Sequence, residues 1–404
     1  MDLFAIAWRN VFRNTRRSFV TVAAMGLALL VMILYSGLIE GYLEGMERNV
    51  LDLEVGDLQI FAQEYRVDPS IYTKIDDPQT LLDRLDEAGF DAASRLLTFG
   101  LVAADEASSG ASFRGVNVAR DALVSDISNQ LDRGHWLDPG EPKGVVIGRR
   151  LARTLDVDIG GELLALTQDS DGSMAYELFE VRGVLLGISD SIDRSGIFMV
   201  QESFRELITM PEGAHQIIVR RPGDLDLPSL LQKVEGLAFG LDVKTWRQLM
   251  PTIASMLDAG RGAMVMMGII IYMAVAILIL NAMLMAVFER IQELGVLKAI
   301  GFGPLSLFGL ILIESGVQTF FAIIIGLAFG IPGILYLASA GIDMGMLAGT
   351  SIMGVAMDPI WRAAVHTRVF TTPIIMLVTI VFLAILYPAG KAALIRPSEA
   401  MRHS

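Results

Sequence analysis

Four long apolar runs constrain the fold of this 404-residue chain more than any other feature. They cover residues 19–39, 263–288, 305–339 and 371–390. A helix needs roughly 20 apolar residues to cross the hydrocarbon core of a bilayer. Because backbone groups find no water there, such runs are expected to be helical. The sequence therefore predicts a multi-pass α-helical membrane protein with four transmembrane helices.

A polar insert, residues 40–262, separates the first run from the second and is long enough for two small lobes with their own cores. Strand-like alternation, as at 96–104, recurs along it together with short amphipathic helices, as at 76–89. From Thr245 the pattern turns helical and is expected to continue without a break into the second run. The insert is therefore predicted to be a large extracytoplasmic α+β domain on two helical stalks.

Charge predicts how the chain is oriented. The insert carries 38 Asp or Glu and 21 Lys or Arg, a net charge of −17, whereas the remainder carries +4. Basic residues near the ends of spans mark the cytoplasmic side. Those residues are Arg9, Arg13, Arg16, Arg17, Arg290, Lys298, Lys391, Arg396 and Arg402. Both termini and the 289–304 link are therefore expected inside, and the insert and the 340–370 loop outside.

The two ends of the chain are short and basic. Residues 1–18 mix apolar side chains with arginines, which predicts an interfacial helix against anionic membrane lipid. The first run resembles a signal peptide, but its length and the lack of a small-residue cleavage site predict an uncleaved anchor. Residues 391–404 are expected to form a cytoplasmic tail.

No motif for catalysis or cofactor binding was found. The chain lacks a phosphate-binding loop, a G-x-S-x-G elbow and an H-E-x-x-H pair. The segment 169–173 (DSDGS) hints at a calcium loop but lacks the later acidic ligands, so a hairpin turn is predicted. We therefore expect neither an enzyme nor a bound cofactor or metal. The acidic insert argues against a nucleic-acid partner.

Two residue types that often carry chemistry point to structure here. The chain has no cysteine, so the insert must fold on packing alone. Four histidines show no ligand spacing and are predicted to lie at the surface. They are His135, His215, His366 and His403.

Polar residues inside the predicted spans allow two interpretations. Asn281 and Glu314 are each expected roughly 12–15 Å above the cytoplasmic face, at about 1.5 Å per residue. Gln318 lies one turn beyond Glu314. Because a buried ionisable group is normally paired, a Glu314–Asn281 hydrogen bond between helices is one interpretation. A path for substrate or protons is the other.

Gly37, Gly41 and Gly45 recur every four residues at the outer end of the first span. Small residues at this spacing let two helices approach closely, which predicts a helix–helix interface. The alternative is a thin, flexible exit from the membrane.

The link 289–304 between the second and third spans is predicted to be a short helix. Leu294, Leu297 and Ile300 recur at helical spacing, and charged side chains surround them. Such a helix is suited to insert into a groove on a soluble partner. A linker that lies on the membrane surface has the same composition.

Several motifs resemble the permease subunits of MacB/LolC/LolE/FtsX-type ABC transporters. Residues 289–301, ERIQELGVLKAIG, resemble the coupling helix E-R-x-x-E-I-G-x-L-K-A-x-G of that family. The pair Ile313-Glu314 resembles one found early in the family's third span. Residues 387–402 resemble the closing Y-P-A-x-x-A-x-x-x-x-P-x-E-A-L-R, with Met401 in place of leucine. Residues 8–10 and 56–60 resemble the lipoprotein-releasing branch.

The resemblance implies a set of partners. Two permease subunits would pair, as a homodimer or heterodimer, and two copies of a cytoplasmic ATPase would dock on their coupling helices. ATP and Mg²⁺ would bind the ATPase and not this chain. Leu294, Leu297 and Ile300 would fill a groove on the ATPase, oriented by Glu293 and Lys298. The coupling residues would be Glu289, Arg290, Glu293, Leu294, Gly295, Leu297, Lys298, Ile300 and Gly301.

The resemblance also implies a function at the bacterial inner membrane. ATP-driven closure of the ATPases would move the stalks and outer domains, a scheme called mechanotransmission. The motifs at residues 8–10 and 56–60 favour release of lipoproteins from the inner membrane. The alternatives are an FtsX-like regulator of a periplasmic partner and MacB-like efflux with an adaptor.

Overall fold

The computed structural model describes residues 3–394 except 14, 224, 344–350, 353–354 and 357–359. The chain divides into two compact units. The helical unit draws on residues 1–44, 258–343 and 360–404, and the α+β unit on residues 45–257 and 344–359. The predicted tail motif beyond residue 394, which includes His403, lies outside the described residues.

The helices in chain order are α1 (Leu3–Arg13), α2 (Thr15–Val50), α3 (Pro78–Glu87), α4 (Val118–Val124), α5 (Arg149–Thr154), α6 (Asp190–Ser195), α7 (Gln201–Leu207), α8 (Leu227–Leu237), α9 (Trp246–Leu249), α10 (Pro251–Phe288), α11 (Ile291–Ala299), α12 (Pro304–Ser339) and α13 (Thr367–Leu394). A π-helical turn, Leu51–Val55, continues α2, and a 3₁₀ turn covers Ile127–Asn129.

The strands are β1 (Leu58–Phe61), β2 (Asp91–Ala104), β3 (Ala107–Val116), β4 (Leu131–Gly134), β5 (Gly144–Ile147), β6 (Glu162–Gln168), β7 (Met174–Leu185), β8 (Gly196–Val200), β9 (Gln216–Arg220), β10 (Asp242–Thr245), β11 (Ile342–Asp343), β12 (Ser351–Ile352), β13 (Val355–Ala356) and β14 (Ile360–Trp361). The strand predicted at 96–104, the helix predicted at 76–89 and the hairpin turn predicted at 169–173 are confirmed.

In the described part of the chain, four helices, α2, α10, α12 and α13, are long and apolar enough to span a membrane. Their apolar side chains form one core that includes Leu29 and Ile33 of α2, Ile279 of α10 and Leu377 of α13. With the α+β domain inserted between α2 and α10, the predicted fold class is confirmed.

Glycines bring α2 and α12 together. The prediction placed these glycines on α2, but most of them lie on α12. Gly326 and Gly330 of α12 lie against Leu29 and Ile33, and a Cβ on Gly326 would come within 2.7 Å of the Leu29 side chain. Gly37 of α2 faces Ile334 of α12, as the prediction of a helix–helix interface requires.

The other two glycines of the predicted stripe do not contact a helix. Gly41 faces the backbone of residues 362–364, and a Cβ on Gly45 would meet nothing within 4 Å. At Gly41 the prediction is wrong because the segment 360–366 covers α2 there, whereas for Gly45 it stays a prediction. Ala364 N donates to Gly37 O (2.9 Å) and Trp361 Nε1 to Leu38 O (2.7 Å).

One lobe of the α+β unit is a four-stranded antiparallel sheet in the order β10-β1-β9-β2. Together with α3 and α8 it has the β-α-β-β-α-β order of a split βαβ motif. Leu58, Ile60, Leu82 and Leu230 fill its core. Pro78 and the Asp77 cap, which accepts from Thr80 N, fix the start of α3.

The second lobe is inserted between β2 and β9 and is a closed ring of six strands. The pairs β2–β3, β3–β8, β8–β5, β5–β7, β7–β6 and β6–β2 close it. Its interior holds Val102, Phe113, Leu163 and Phe179. The long strand β2 belongs to both lobes. Gly100 marks its entry into the β6 pairing, because any side chain there would overlap Leu166 O.

One predicted helix boundary is wrong. The helix expected to continue unbroken from Thr245 is interrupted at Met250 (φ −123°, ψ 63°), because the residue before Pro251 is biased away from the helical region. The third predicted span, α12, continues past Pro332 to Ser339.

His215 is fully buried, so the prediction that it lies at the surface is wrong. Its Nδ1 accepts from Leu97 N (2.9 Å), which leaves the proton on Nε2, facing Ile71 O (3.2 Å). Burial lowers the pKa of His215, because the charged form would be desolvated. His135 and His366 are exposed, as predicted.

Buried His215 predicts acid-dependent stability. Below the unfolded pKa of about 6.5, the unfolded chain takes up a proton that the folded chain excludes. The free energy of unfolding should therefore fall from pH 7 to pH 5, by up to about 1.4 kcal/mol per pH unit from this residue. Thermal unfolding in detergent should show a weaker pH dependence for His215→Gln than for His135→Gln. Equal dependence would contradict the assignment.

Candidate functional site

The short helix α11 lies between the second and third spanning helices and is bounded by tight turns. It ends where Gly301 takes a φ of +109°, while Phe302 N donates to Leu297 O (3.1 Å). A left-handed residue at this position favours glycine. Gly303 and Pro304 then start α12 at once. Gly301, Gly303 and Pro304 therefore keep the predicted helix short.

The apolar stripe of α11 faces the protein's own spans. Leu294 is 5% exposed and packs in the core of the helical unit, and Leu297 is partly buried against it. Ile300 is 75% exposed, and Val296 is exposed beside it. The prediction that Leu294 fills a groove on a partner is therefore wrong, whereas for the partly buried Leu297 it stays a prediction. The exposed apolar face consists of Val296 and Ile300.

Four alternating charges join α11 to its neighbours. Arg13 Nη2 of α1 donates to Glu293 Oε1 (2.9 Å), and Arg290 Nε donates to Glu293 Oε2 (3.0 Å). Arg290 Nη1 also donates to Glu314 Oε1 of α12. We call this set the charge chain. Because each arginine is balanced by a carboxylate, the charge chain is neutral overall.

Burial and pairing oppose each other in the charge chain. Burial lowers the pKa of Arg290, but its bonds to Glu314 and Glu293 outweigh that effect and raise the pKa overall. Burial raises the pKa of Glu293, but its contacts with Arg290 and Arg13 outweigh that effect and lower the pKa overall. Both groups are therefore held ionised at neutral pH.

The C-terminal end of α11 is bound to α13. Lys298 Nζ donates to Ala393 O (2.6 Å), near the end of that helix. Lys391 of α13 in turn lies over the ring of Phe288, with 5.0 Å from Nζ to the ring centroid. The short helix is thus held by side chains at both ends, towards α1 and α12 at one and α13 at the other.

The predicted Glu314–Asn281 pair is wrong, because Glu314 binds Arg290 instead. Asn281 lies on an exposed face of α10. Among the described residues, no hydrogen bond to Asn281 was found. The prediction rested on Asn281 and Glu314 lying at the same level along their helices. Their level does not determine which face of α10 carries Asn281.

A cavity of about 150 Å³ lies beside the charge chain. Its wall includes Asn10, Arg13, Glu314 and Gln318. Gln318 is only 6% exposed, and no hydrogen bond to its amide was found in the described part of the chain. At about 30 Å³ per molecule, the cavity is large enough to hold waters that hydrogen-bond to this amide.

Taken together, these residues form a junction in which charged side chains bind three other helices, α1, α12 and α13, to the α11 segment. No group of three or more metal-ligating side chains was found among the described residues. Sequence reasoning missed Arg13 as a partner of α11. The only sequence signal was its place in a basic cluster, which also suits lipid contact.

Comparison with known proteins covers nearly the whole chain. Residues 18–237 match the family model of the MacB-like periplasmic core domain. Residues 265–397 match the model of the FtsX-like permease C-terminal region. The α11 junction lies within the second match.

Individual relatives are distant. An uncharacterized ABC transporter permease of Methanocaldococcus jannaschii is 24% identical over 69% of this chain and 67% of its own length. The lipoprotein-releasing system transmembrane protein LolC of Xylella fastidiosa is 23% identical over 72% of this chain and 73% of its own. The periplasmic region of MacB from Actinobacillus actinomycetemcomitans aligns with a TM-score of 0.37 and 13% identity, over 51% of this chain and 95% of that one.

The charge chain predicts a stability loss when one carboxylate is removed. Glu314→Gln leaves Arg290 partly buried with a weaker partner, which should cost about 2 kcal/mol. Thermal unfolding of the purified chain in detergent measures this loss. Glu235→Gln, at an exposed position of the α+β unit, should cost nothing measurable. If the two variants unfold together, the bond to Glu314 contributes nothing to stability.

Proposed function

Because the chain belongs to the MacB/LolC/FtsX type of ABC transporter permeases, we propose that it couples a separate ATPase to movement of its α+β domain. ABC permease subunits are not themselves enzymes, so ATP and Mg²⁺ would bind the ATPase. Both termini and α11 would face the cytoplasm and the α+β domain the periplasm. The observation that carries the proposal is the position of α11, which is short and bound to three other helices.

The ATPase would dock on the exposed face of α11. Val296 and Ile300 offer apolar surface there, while Leu294 anchors the helix from behind. An apolar helix face in a complementary groove is a recurrent mode of recognition. Glu293 is half-exposed but already bound by two arginines, so its role would be to hold α11 in place.

Movement of α11 would then reach the rest of the helical unit through its ionic contacts. The charge chain would carry a displacement to α1 and α12, and the Lys298 bond would carry it to α13. Arg290 and Glu314 are both largely buried, and this pair resists separation because an unpaired charge in a low-dielectric site is costly. The junction would therefore move as one body.

Two continuous helices would carry the movement to the α+β domain. The helix α2 ends within that unit, and α10 begins there. Val50 and Leu51 pack there with Trp246 and Leu257, so the two helix ends are held together. This arrangement supports mechanotransmission, in which cargo is taken up outside the membrane and does not pass through a channel.

Release of lipoproteins from the inner membrane is the cargo function we propose. It is supported by the similarity to a LolC protein across 72% of the chain. Depleting the chain in its native bacterium should leave outer-membrane lipoproteins in the inner membrane, as measured by membrane fractionation and mass spectrometry. Unchanged sorting would overturn this cargo while leaving ATPase coupling intact.

A second permease subunit would cover α10. This helix is mostly exposed and apolar, and it carries Asn281 about 10 Å from its C-terminal end, at about 1.5 Å per residue. A polar amide facing lipid is unfavourable, whereas an amide between two helices can form a hydrogen bond. We therefore place Asn281 at the contact between subunits.

Docking on α11 predicts a loss of ATPase binding when its exposed face is charged. Val296→Asp with Ile300→Asp should reduce the ATPase that co-purifies with the chain by roughly tenfold, since a buried apolar anchor is replaced by a charge. Phe239→Asp, at an exposed apolar position of the α+β unit, is the matched control. Intact co-purification of the double variant would contradict docking on this face.

The position of Asn281 predicts that dimerisation depends on its amide. Asn281→Leu should weaken the dimer by about 1 kcal/mol, the usual scale of a hydrogen bond between membrane helices. Asn281→Gln should retain most of the association. Single-molecule subunit counting across a dilution series in lipid bilayers measures the difference. Equal dimer fractions in all three chains would exclude Asn281 from the interface.

A further inference from the structure

The cavity beside the charge chain is lined by polar groups that have no partner in the fold. Gln318 of α12 is 6% exposed, Asn10 of α1 is partly buried, and both amides lie in the wall. Among the described residues, no hydrogen bond to either amide was found. Glu314 accepts from Arg290 at Oε1, and in the same part of the chain no donor to its Oε2 was found. Because a buried polar group without a partner is costly, these groups indicate a polar ligand.

Charge in the cavity wall is balanced. Arg13 and Arg290 contribute two positive charges, and Glu293 and Glu314 contribute two negative ones. A ligand with a net charge would leave that charge without a counterpart in a partly buried site, which is unfavourable. A ligand that carries one charge of each sign keeps the site neutral. The wall therefore favours a zwitterion.

The two helices that carry the unpartnered groups offer complementary chemistry. On α1, Arg13 and the Asn10 amide can donate hydrogen bonds to an anion, and a guanidinium matches the geometry of a phosphate. On α12, Glu314 Oε2 and the Gln318 carbonyl can accept hydrogen bonds from a primary ammonium. The favoured zwitterion thus has a phosphate at one end and a primary ammonium at the other.

Helix α1 places the cavity at the level of the lipid headgroups. Phe4, Trp8 and Phe12 recur every four residues along it, and each is about half exposed. A basic helix with an aromatic face lies in the interface between headgroups and acyl chains. Asn10 and Arg13 belong to this helix, so a headgroup of the adjoining leaflet can reach the groups that line the cavity.

We propose that the cavity binds the phosphoethanolamine headgroup of a membrane phospholipid. The phosphate would accept from Arg13 and Asn10, and the ammonium would donate to Glu314 and Gln318. A volume of about 150 Å³ is below the roughly 300–1,000 Å³ of sites for drug-sized ligands, as a group of this size requires. The acyl chains would remain outside, against exposed apolar side chains of α1 and α2 such as Phe19.

Other common headgroups fit the cavity less well. Phosphocholine has no N–H to donate, and quaternary ammonium groups are typically bound by aromatic side chains. Among the described residues that line the cavity, no aromatic side chain was found. Phosphoglycerol has no positive charge for Glu314 to bind. The proposal depends on the proposed membrane orientation only for the leaflet, the cytoplasmic one, and it does not depend on ATPase docking.

Lipid retention by the purified full chain tests the site. The chain is equilibrated in detergent with equal amounts of phosphatidylethanolamine, phosphatidylcholine and phosphatidylglycerol that have the same acyl chains, and bound lipid is identified by native mass spectrometry. We expect phosphatidylethanolamine to be retained roughly tenfold more than either other lipid. Gln318→Leu and, on the opposite wall, Asn10→Leu should each abolish this preference.

Thr379→Val is the matched control, because it removes a hydroxyl from an exposed position of α13 that does not line the cavity. This variant should retain the preference of the parent chain. Equal retention of the three lipids by the parent would overturn the proposal. A preference that survives both Gln318→Leu and Asn10→Leu would overturn the assignment to this cavity.

Thermal unfolding distinguishes a lipid from a soluble ligand with the same headgroup. In lipid-free detergent Gln318→Leu should unfold at the temperature of the parent, because the amide has no partner to lose. Added phosphatidylethanolamine should raise the melting temperature of the parent and not that of the variant. Free phosphoethanolamine at the same concentration should have no effect, and an equal shift would overturn the lipid as the source. Because no ATPase is present, failure here leaves the coupling proposal standing.

Discussion

The guanidinium of Arg290, shared between Glu293 and Glu314, is the contact on which the helical unit depends. It joins the turn before α11 to the third spanning helix, and Arg13 extends the same contact to α1. Arg290 and Glu314 are both largely buried, and buried charges are stable only when paired. The pairing fixes where α11 lies, and the position of α11 determines which of its faces a partner can reach.

In the α+β unit, one strand, β2, belongs to both lobes. The first half of β2 completes the split βαβ sheet and its second half closes the six-stranded ring. The ring keeps its core inside and still presents apolar side chains outward.

Periodicity and composition predicted much of the fold from sequence. Four spans, the α+β insert and the helix in the 289–304 link follow from local patterns, and local patterns are what a single sequence records. The partners of individual side chains were harder. Leu294 was predicted to face a partner and Glu314 to bind Asn281, because helical spacing defines a stripe but not which neighbour it meets. Buried His215 was missed because one polar residue carries no sign of its depth.

We expect α1 and α11 to move as one body. Because the chain has no cysteine, spin labels on two introduced cysteines measure this movement directly. Spin labels on Arg9→Cys and Ala299→Cys, in the complex with its ATPase in lipid nanodiscs, report the distance between the two helices. We predict the same narrow distance with and without ATP, and a broadened distribution once Glu293→Gln breaks the charge chain. A distance that changes on ATP binding in the parent chain, or is indifferent to Glu293→Gln, would contradict the account.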